Sequence, residues 1–130
     1  MNTHFFPLKQ HYSHIEKLSL GRATTKLDLT NAHLRSGHIV NGPTLFALCD
    51  ITLFFAVLTH IGFEPMAVTS DLNIRFLRAR PHLKQLICTA EIINLGKQLI
   101  TGRIQIWGLP GEILINDATG SYIVKQDIKP

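Results

Sequence analysis

Asp50 is the only charged residue in a long apolar run that extends from Gly42 to Ile61. A carboxylate can serve as a general base or as a nucleophile in the hydrolysis of an acyl group. If the run forms a helix, the N–H groups near Gly42 have no partner inside the helix and carry roughly half a positive charge. Such donors can stabilise an oxygen that becomes negative during the reaction. Asp50 and Gly42 are therefore the first candidates for a catalytic site.

The spacing of these two residues predicts how a site could be assembled. Asp50 follows Gly42 by eight positions, which is about 12 Å along one helix. A single carbonyl group cannot contact both residues over that distance. If they act together, they must come from two chains whose helices pack antiparallel across a two-fold axis. We therefore predict a homodimer with two shared sites, and polar sheet faces would allow two dimers to form a homotetramer.

Asp50 also has a purely structural interpretation, in which a nearby cation or backbone donors neutralise a buried carboxylate. Its neighbours at helical spacing are apolar, and they are Phe46, Ala47, Leu53, Phe54 and Val57. These side chains could line an acyl pocket, with Phe46 and Phe54 as substrate-binding residues. Ordinary core packing would explain the same pattern.

The apolar run has the signals of a helix at both ends. Asn41 can cap the first turn, Pro43 fits there because it needs no N–H partner, and Gly62 marks the end. Eighteen residues would extend roughly 27 Å, which is enough to cross a membrane. We expect no membrane partner, because a carboxylate near the middle is costly in lipid and no Lys or Arg closely flanks the run. The helix should instead be buried on nearly all sides.

The other segments predict an α+β fold, with the long helix wrapped by a curved antiparallel sheet of about five strands. Residues 1–20 are predicted to form a short N-terminal helical segment, residues 21–127 a single domain, and Thr30–Val40 a loop before the helix. The predicted strands are Arg22–Leu29, Met66–Arg78, Gln85–Asn94, Gln98–Trp107 and Ile113–Val124. In the second of these, alternation places Thr69 on a polar face opposite Leu72.

The composition fits one domain and excludes several classes of protein. The chain has 130 residues, 45% of them hydrophobic and 17% charged, which argues against disorder. The net charge of +4 is small and aromatic residues do not alternate with basic ones, so we expect no nucleic acid partner. The N-terminus does not resemble a signal peptide, which favours the cytoplasm.

The cysteines and histidines give no sign of a metal site. Cys49 and Cys88 are too few and too widely spaced for a metal motif, so we interpret both as reduced thiols of the core. His11 and His14 could share a helix face, but no third ligand has a defined spacing. We therefore predict that the protein binds no metal.

Two stretches, GHIVNGPTLFALCD and VTSDLNIRFLRA, resemble the PaaI-like branch of the hotdog-fold acyl-CoA thioesterases. The family pattern HGGxxxxLxD is matched with Leu48 and Asp50 in register, while Asn41 replaces the histidine and Pro43 the second glycine. The late segments LGKQ and ATGSYIV also fit. The resemblance covers about 100 residues and implies a hotdog fold, hydrolysis of an acyl-CoA substrate and no cofactor.

The resemblance also implies roles for individual residues. Asp50 would be the catalytic carboxylate, the N–H of Gly42 would lie in the oxyanion hole next to Asn41, and Thr69 would bring a hydroxyl near the reacting group. Substrate binding would involve Pro43 at the helix start. Basic residues near strand ends could contact the phosphates of CoA, although solvated surface charge would explain most of them. They are Arg75, Arg78, Arg80, Lys84 and Lys97.

Two other functions remain open. The altered helix start would suit a non-catalytic protein that binds acyl-CoA or another acyl thioester on the same fold. Hydratase or dehydratase chemistry would need a histidine beside a carboxylate, and the nearby candidate, His38, is poorly placed for that role.

Overall fold

The computed structural model describes residues 13–62 and 67–124, in which one long helix lies against a six-stranded antiparallel sheet. The helix α1 comprises Gly42–Ile61. The strands are β1 (His14–Ser19), β2 (Arg22–Asp28), β3 (Leu34–Arg35), β4 (Ile39–Val40), β5 (Ala67–Phe76), β6 (Gln85–Leu95), β7 (Leu99–Leu109) and β8 (Ile113–Val124). The order in the main sheet is β1-β2-β6-β7-β8-β5, while β3 and β4 form a separate pair. This architecture confirms the predicted α+β hotdog fold.

Helix α1 begins and ends where its sequence signals predict. The Asn41 side-chain oxygen accepts a hydrogen bond of 2.8 Å from the N–H of Thr44, and Pro43 lies in the first turn. The helix ends at Gly62, whose φ of 74° is readily adopted only by glycine. Local capping chemistry therefore determines both ends.

One face of α1 packs onto the sheet. Its buried residues are Leu45, Leu48, Cys49, Thr52, Leu53, Ala56 and Val57. Two glycines of the sheet allow Leu53 to approach closely: a Cβ on Gly102 would lie 2.5 Å from one methyl carbon of Leu53, and a Cβ on Gly120 would lie 3.0 Å from the other. These contacts set the depth at which the helix lies on the sheet, and thus the height of Asp50 above it.

The opposite face of α1 is uncovered in the single chain, so the prediction of burial on nearly all sides is wrong for one chain. Phe46, for example, is 47% exposed, because the sheet contacts only one side of the helix. By length and composition alone, α1 could cross a membrane, as could the core helix of many folded domains.

The N-terminal helical segment predicted for residues 1–20 is contradicted at His14–Ser19, which forms strand β1. Its residues are all exposed, so no buried face favours a helix, whereas the edge of β2 offers unpaired backbone groups that β1 satisfies. Residues 1–12 lie outside the described part of the chain. The extra strand explains why the sheet has six strands and not the predicted five.

The predicted loop Thr30–Val40 contains short regular elements. A 3-10 turn at Asn31–His33 is capped by Thr30, and strands β3 and β4 pair beyond it. The N–H of Asn41 donates to the carbonyl of His33 at 2.8 Å, which ties this segment to the start of α1.

Candidate active site

The Asp50 carboxylate is held by two hydroxyl groups from the sheet. Its Oδ1 accepts hydrogen bonds of 2.8 Å from Thr69 Oγ1 and 2.8 Å from Tyr122 Oη. The Tyr122 hydroxyl also lies 3.2 Å from the backbone oxygen of Asp50. Within residues 13–62 and 67–124, Oδ2 has no hydrogen-bond partner. The structural interpretation of Asp50 predicted a cation or backbone donors as partners of the carboxylate. It is wrong on this point, because the observed partners are two side-chain hydroxyls.

Thr69 reaches Asp50 because strand β5 contains a bulge. Thr69 pairs with Tyr122 and Asp71 pairs with Ser121, so Ser70 is left without a partner. The extra residue reverses the alternation, and Thr69 lies on the same face of the sheet as Leu72. The predicted arrangement, with Thr69 opposite Leu72, is wrong for this reason.

Tyr122 belongs to the site although the sequence did not single it out. It is 4% exposed, and its ring lies against that of Phe54, with 5.6 Å between the centroids. Burial, together with the neighbouring Asp50 carboxylate, raises the pKa of Tyr122 well above its usual value, so its hydroxyl remains a donor. The one sequence signal was a tyrosine in the otherwise aliphatic end of the final strand.

The start of α1 offers one free backbone donor. Pro43 has no N–H, the N–H of Thr44 binds the Asn41 side chain, and the N–H of Leu45 lies 3.4 Å from the Asn41 carbonyl. In the described part of the chain this leaves the N–H of Gly42 without a partner. Gly42 is exposed, and a Cβ there would contact nothing within 4 Å. A carbonyl oxygen can therefore reach this donor.

A basic pocket of about 220 Å³ opens beside Gly42. Arg35, Arg78 and Arg80 line it, together with apolar residues that include Leu45 and Phe76. Arg78 is oriented by a hydrogen bond of 3.2 Å to the carbonyl of Leu114. The pocket thus combines three cations with the free N–H at the positive end of the helix, which suits an anionic ligand.

The structure separates the predicted site residues into two groups. Gly42, Arg78 and Arg80 meet at the helix start, where Asn41 acts as the cap. Asp50, Thr69 and Phe54 meet further along the helix, with Tyr122 between them.

Three other candidates lie apart from both groups. Lys97 is in the turn after β6, whereas the pocket lies near the start of that strand. The length of β6, about 30 Å, therefore separates Lys97 from the pocket. Phe46 is exposed on the uncovered face of α1. His38 stacks on His82, with 4.8 Å between ring centroids, and makes no hydrogen bond to Asp50.

Arg35 was missed by sequence reasoning. Strand β3 brings it to the pocket beside Arg78 and Arg80, although more than forty positions separate these residues in the chain. The predicted loop had suggested no role for it.

The cysteines behave as predicted. Cys49 and Cys88 are both buried and free, and burial raises the pKa of the Cys88 thiol. Among the residues that the structure describes, no group of three or more His, Cys, Asp or Glu side chains could hold a metal ion.

Comparison with known sequences identifies the family. Residues 37–115, which include α1 and every lining residue of the pocket except Arg35, match the Thioesterase superfamily. The chain belongs to the thioesterase superfamily. This thioesterase is similar to a thioesterase-family protein of Silicibacter sp. TM1040, with 31% identity, coverage of 95% of this chain and 86% of that one, and a TM-score of 0.82.

Two further solved structures share the fold. The PaaI protein of the phenylacetic acid degradation operon of E. coli is 24% identical, with 88% of this chain and 80% of that chain covered and a TM-score of 0.79. A thioesterase protein of Streptococcus pneumoniae TIGR4, solved with coenzyme A, is 22% identical, with 91% and 89% covered and a TM-score of 0.75. The protein is thus a thioesterase of the hotdog fold, and its reaction class is thioester hydrolysis. The likeness to PaaI proteins, at 20% and 24% identity, shows the shared fold.

Proposed function

We propose that this thioesterase hydrolyses acyl-CoA to a free acid and CoA, using Asp50 of one subunit and the N–H of Gly42 of the partner subunit. The observation that carries the proposal is a pair of complementary groups. Among residues 13–62 and 67–124, Asp50 Oδ2 is an acceptor without a partner and the N–H of Gly42 is a donor without a partner. Hydrolysis of a thioester requires both kinds of group around one carbonyl.

Two routes use these groups. In the first, Asp50 takes a proton from water while the water oxygen attacks the carbonyl carbon. In the second, Asp50 attacks directly and forms an anhydride, which water then hydrolyses. In both routes the N–H of Gly42 stabilises the oxyanion, the carbon–sulfur bond breaks, and the CoA thiolate leaves and takes up a proton.

The basic pocket beside Gly42 supports CoA as the carrier of the acyl group. Arg35, Arg78 and Arg80 could contact the CoA phosphates, because a guanidinium group forms strong charge-assisted hydrogen bonds to phosphate. The similar Streptococcus thioesterase was solved with coenzyme A.

A homodimer would unite the two halves of the site. Helix α1 has an uncovered apolar face, and β5 is an edge strand whose outer side has no partner within the described residues. A second copy could cover both, with the two helices antiparallel. Pairing of two dimers into a homotetramer is compatible with the exposed polar face of the sheet.

The first test measures thiol release from a panel of aromatic and aliphatic acyl-CoA esters. We expect wild type to release CoA from at least one ester and Asp50→Ala to lose at least about a thousandfold in kcat, because it lacks the group that activates water. Equal release by both proteins would exclude Asp50 from the mechanism.

The second test mixes two inactive variants. Asp50→Ala retains Gly42, and Gly42→Pro retains Asp50 but lacks the N–H. If each site uses one residue from each chain, a randomly reassembled mixture should regain about a quarter of wild-type activity. A mixture as inactive as its components would contradict the shared site.

The alternative is a non-catalytic protein that binds acyl-CoA. The observation in its favour is that Pro43 and the Asn41 cap leave only one free N–H among the first residues of α1. Calorimetric binding of an acyl-CoA that is never cleaved would support this alternative.

A further inference from the structure

We propose that Tyr122 is a positioning residue, which holds Oδ1 of Asp50 and so makes Oδ2 the oxygen that reacts. The inference rests on the proposed function of Asp50 and deepens it. Tyr122 lies in the final-strand segment ATGSYIV, 72 positions after Asp50, and the family resemblance described above implies no role for its side chain.

The geometry gives the two oxygens of Asp50 different environments. Oδ1 accepts two hydrogen bonds, one from Thr69 on β5 and one from Tyr122 on β8. These residues are directly opposite each other in the two paired strands. The two hydroxyls therefore converge on one oxygen from the sheet, and no side chain or backbone group of the described residues binds Oδ2.

Tyr122 is itself held in place through both its backbone and its ring. Its backbone lies between β5 and β7 in the sheet, where it pairs with Thr69 and Ile100. Its ring lies against Phe54, one helical turn after Asp50, at an angle of 32°. A buried ring with these contacts cannot swing away, so the hydroxyl fixes the rotamer of Asp50.

The hydroxyl stays protonated across the working pH range, since burial raises the pKa of Tyr122. Among the described residues, the Asp50 carboxylate also interacts electrostatically with the buried thiol of Cys49 on the same helix. Tyr122 therefore acts as a constant hydrogen-bond donor to Oδ1 of Asp50.

The central experiment compares Tyr122→Phe with wild type. The variant keeps the ring against Phe54 and removes only the hydroxyl. We expect kcat to fall about tenfold with KM within about twofold, because the carboxylate is less well placed before the reaction. A fall in kcat at nearly constant KM distinguishes a lost positioning contact from a lost binding contact.

Ser121→Ala is the matched control. It removes the neighbouring hydroxyl of the same strand, which bonds Thr101 and not Asp50. Its kcat should equal that of wild type, although its melting temperature can fall. A combined Tyr122→Phe and Thr69→Val variant should depart from the product of the two single effects, because both hydroxyls bind one oxygen.

Two results would overturn the inference. The first is a wild-type kcat in Tyr122→Phe while Asp50→Ala is inactive, which would leave the proposed function intact. The second needs no turnover: a crystal structure of Tyr122→Phe in which the Asp50 side chain keeps its wild-type rotamer. Full activity of Asp50→Ala would instead overturn the proposed function, and the positioning role with it.

Discussion

The start of α1 and its middle present opposite chemistry. At the start, Gly42 offers an unpartnered donor beside three arginines in an open pocket. In the middle, one oxygen of the Asp50 carboxylate is bound by Thr69 and Tyr122, and the other oxygen can act as an acceptor. The first region is suited to bind an anionic ligand, whereas the second holds a negatively charged side chain of the protein itself.

The two regions of α1 show how one helix can supply both halves of a site. The N–H groups and the dipole make the first turn electropositive, so a carboxylate needed for chemistry would be partly neutralised there. Eight positions along, the dipole has little effect, and side chains from the sheet determine where the carboxylate points. Two copies of the chain would then bring the unlike regions together.

Gly42→Pro should have a large effect on activity, because it removes the free N–H at the start of α1. The backbone of Asn41 already has φ −76° and ψ 155°, which suits a residue before proline. We expect kcat to fall at least about a hundredfold while the protein remains folded. Gly42→Ala, whose Cβ contacts nothing within 4 Å in the single chain, is the control and should remain within a few-fold of wild type. Equal kcat values for the two variants would rule out the N–H.

Removing charge from the pocket tests its role in binding. A variant with Arg78→Gln and Arg80→Gln should raise KM for acyl-CoA about tenfold and leave kcat nearly unchanged, because the proposed function assigns these cations to the CoA carrier and not to the carbonyl. Added salt should raise the KM of wild type more than that of the variant. Lys97→Gln removes a cation far from the pocket, and an equal rise in its KM would contradict the assignment of the site.

The Asn41 cap gives the smallest expected effect. Asn41→Ala leaves the N–H of Thr44 without its partner, so the free energy of unfolding should fall by about 1 kcal/mol. A urea titration measures it, and kcat should change by less than fivefold if Asn41 only caps the helix. A loss of activity much larger than the loss of stability would instead make Asn41 a catalytic residue.

Local signals accounted for much of the fold and for half of the site. The ends of α1 were predicted because capping depends on a few adjacent residues. Strand β8 was predicted with its observed bounds. Asp50 and Gly42 were named as candidates from the helix itself, whereas Thr69 was named only from the family resemblance. Strand β1 was not predicted, because its exposed residues carry no buried pattern and only the edge of β2 favours pairing.

By itself, the sequence determined the helix, its single carboxylate and the eight-residue interval to Gly42, since each depends on residues close together in the chain. Only the tertiary structure decided which side chains approach these groups. The bulge at Ser70 turned Thr69 toward the helix, the register of β5 and β8 set Tyr122 opposite it, and β3 brought Arg35 to Arg78. Strand register and bulges depend on how distant segments pair, and no local pattern encodes that pairing.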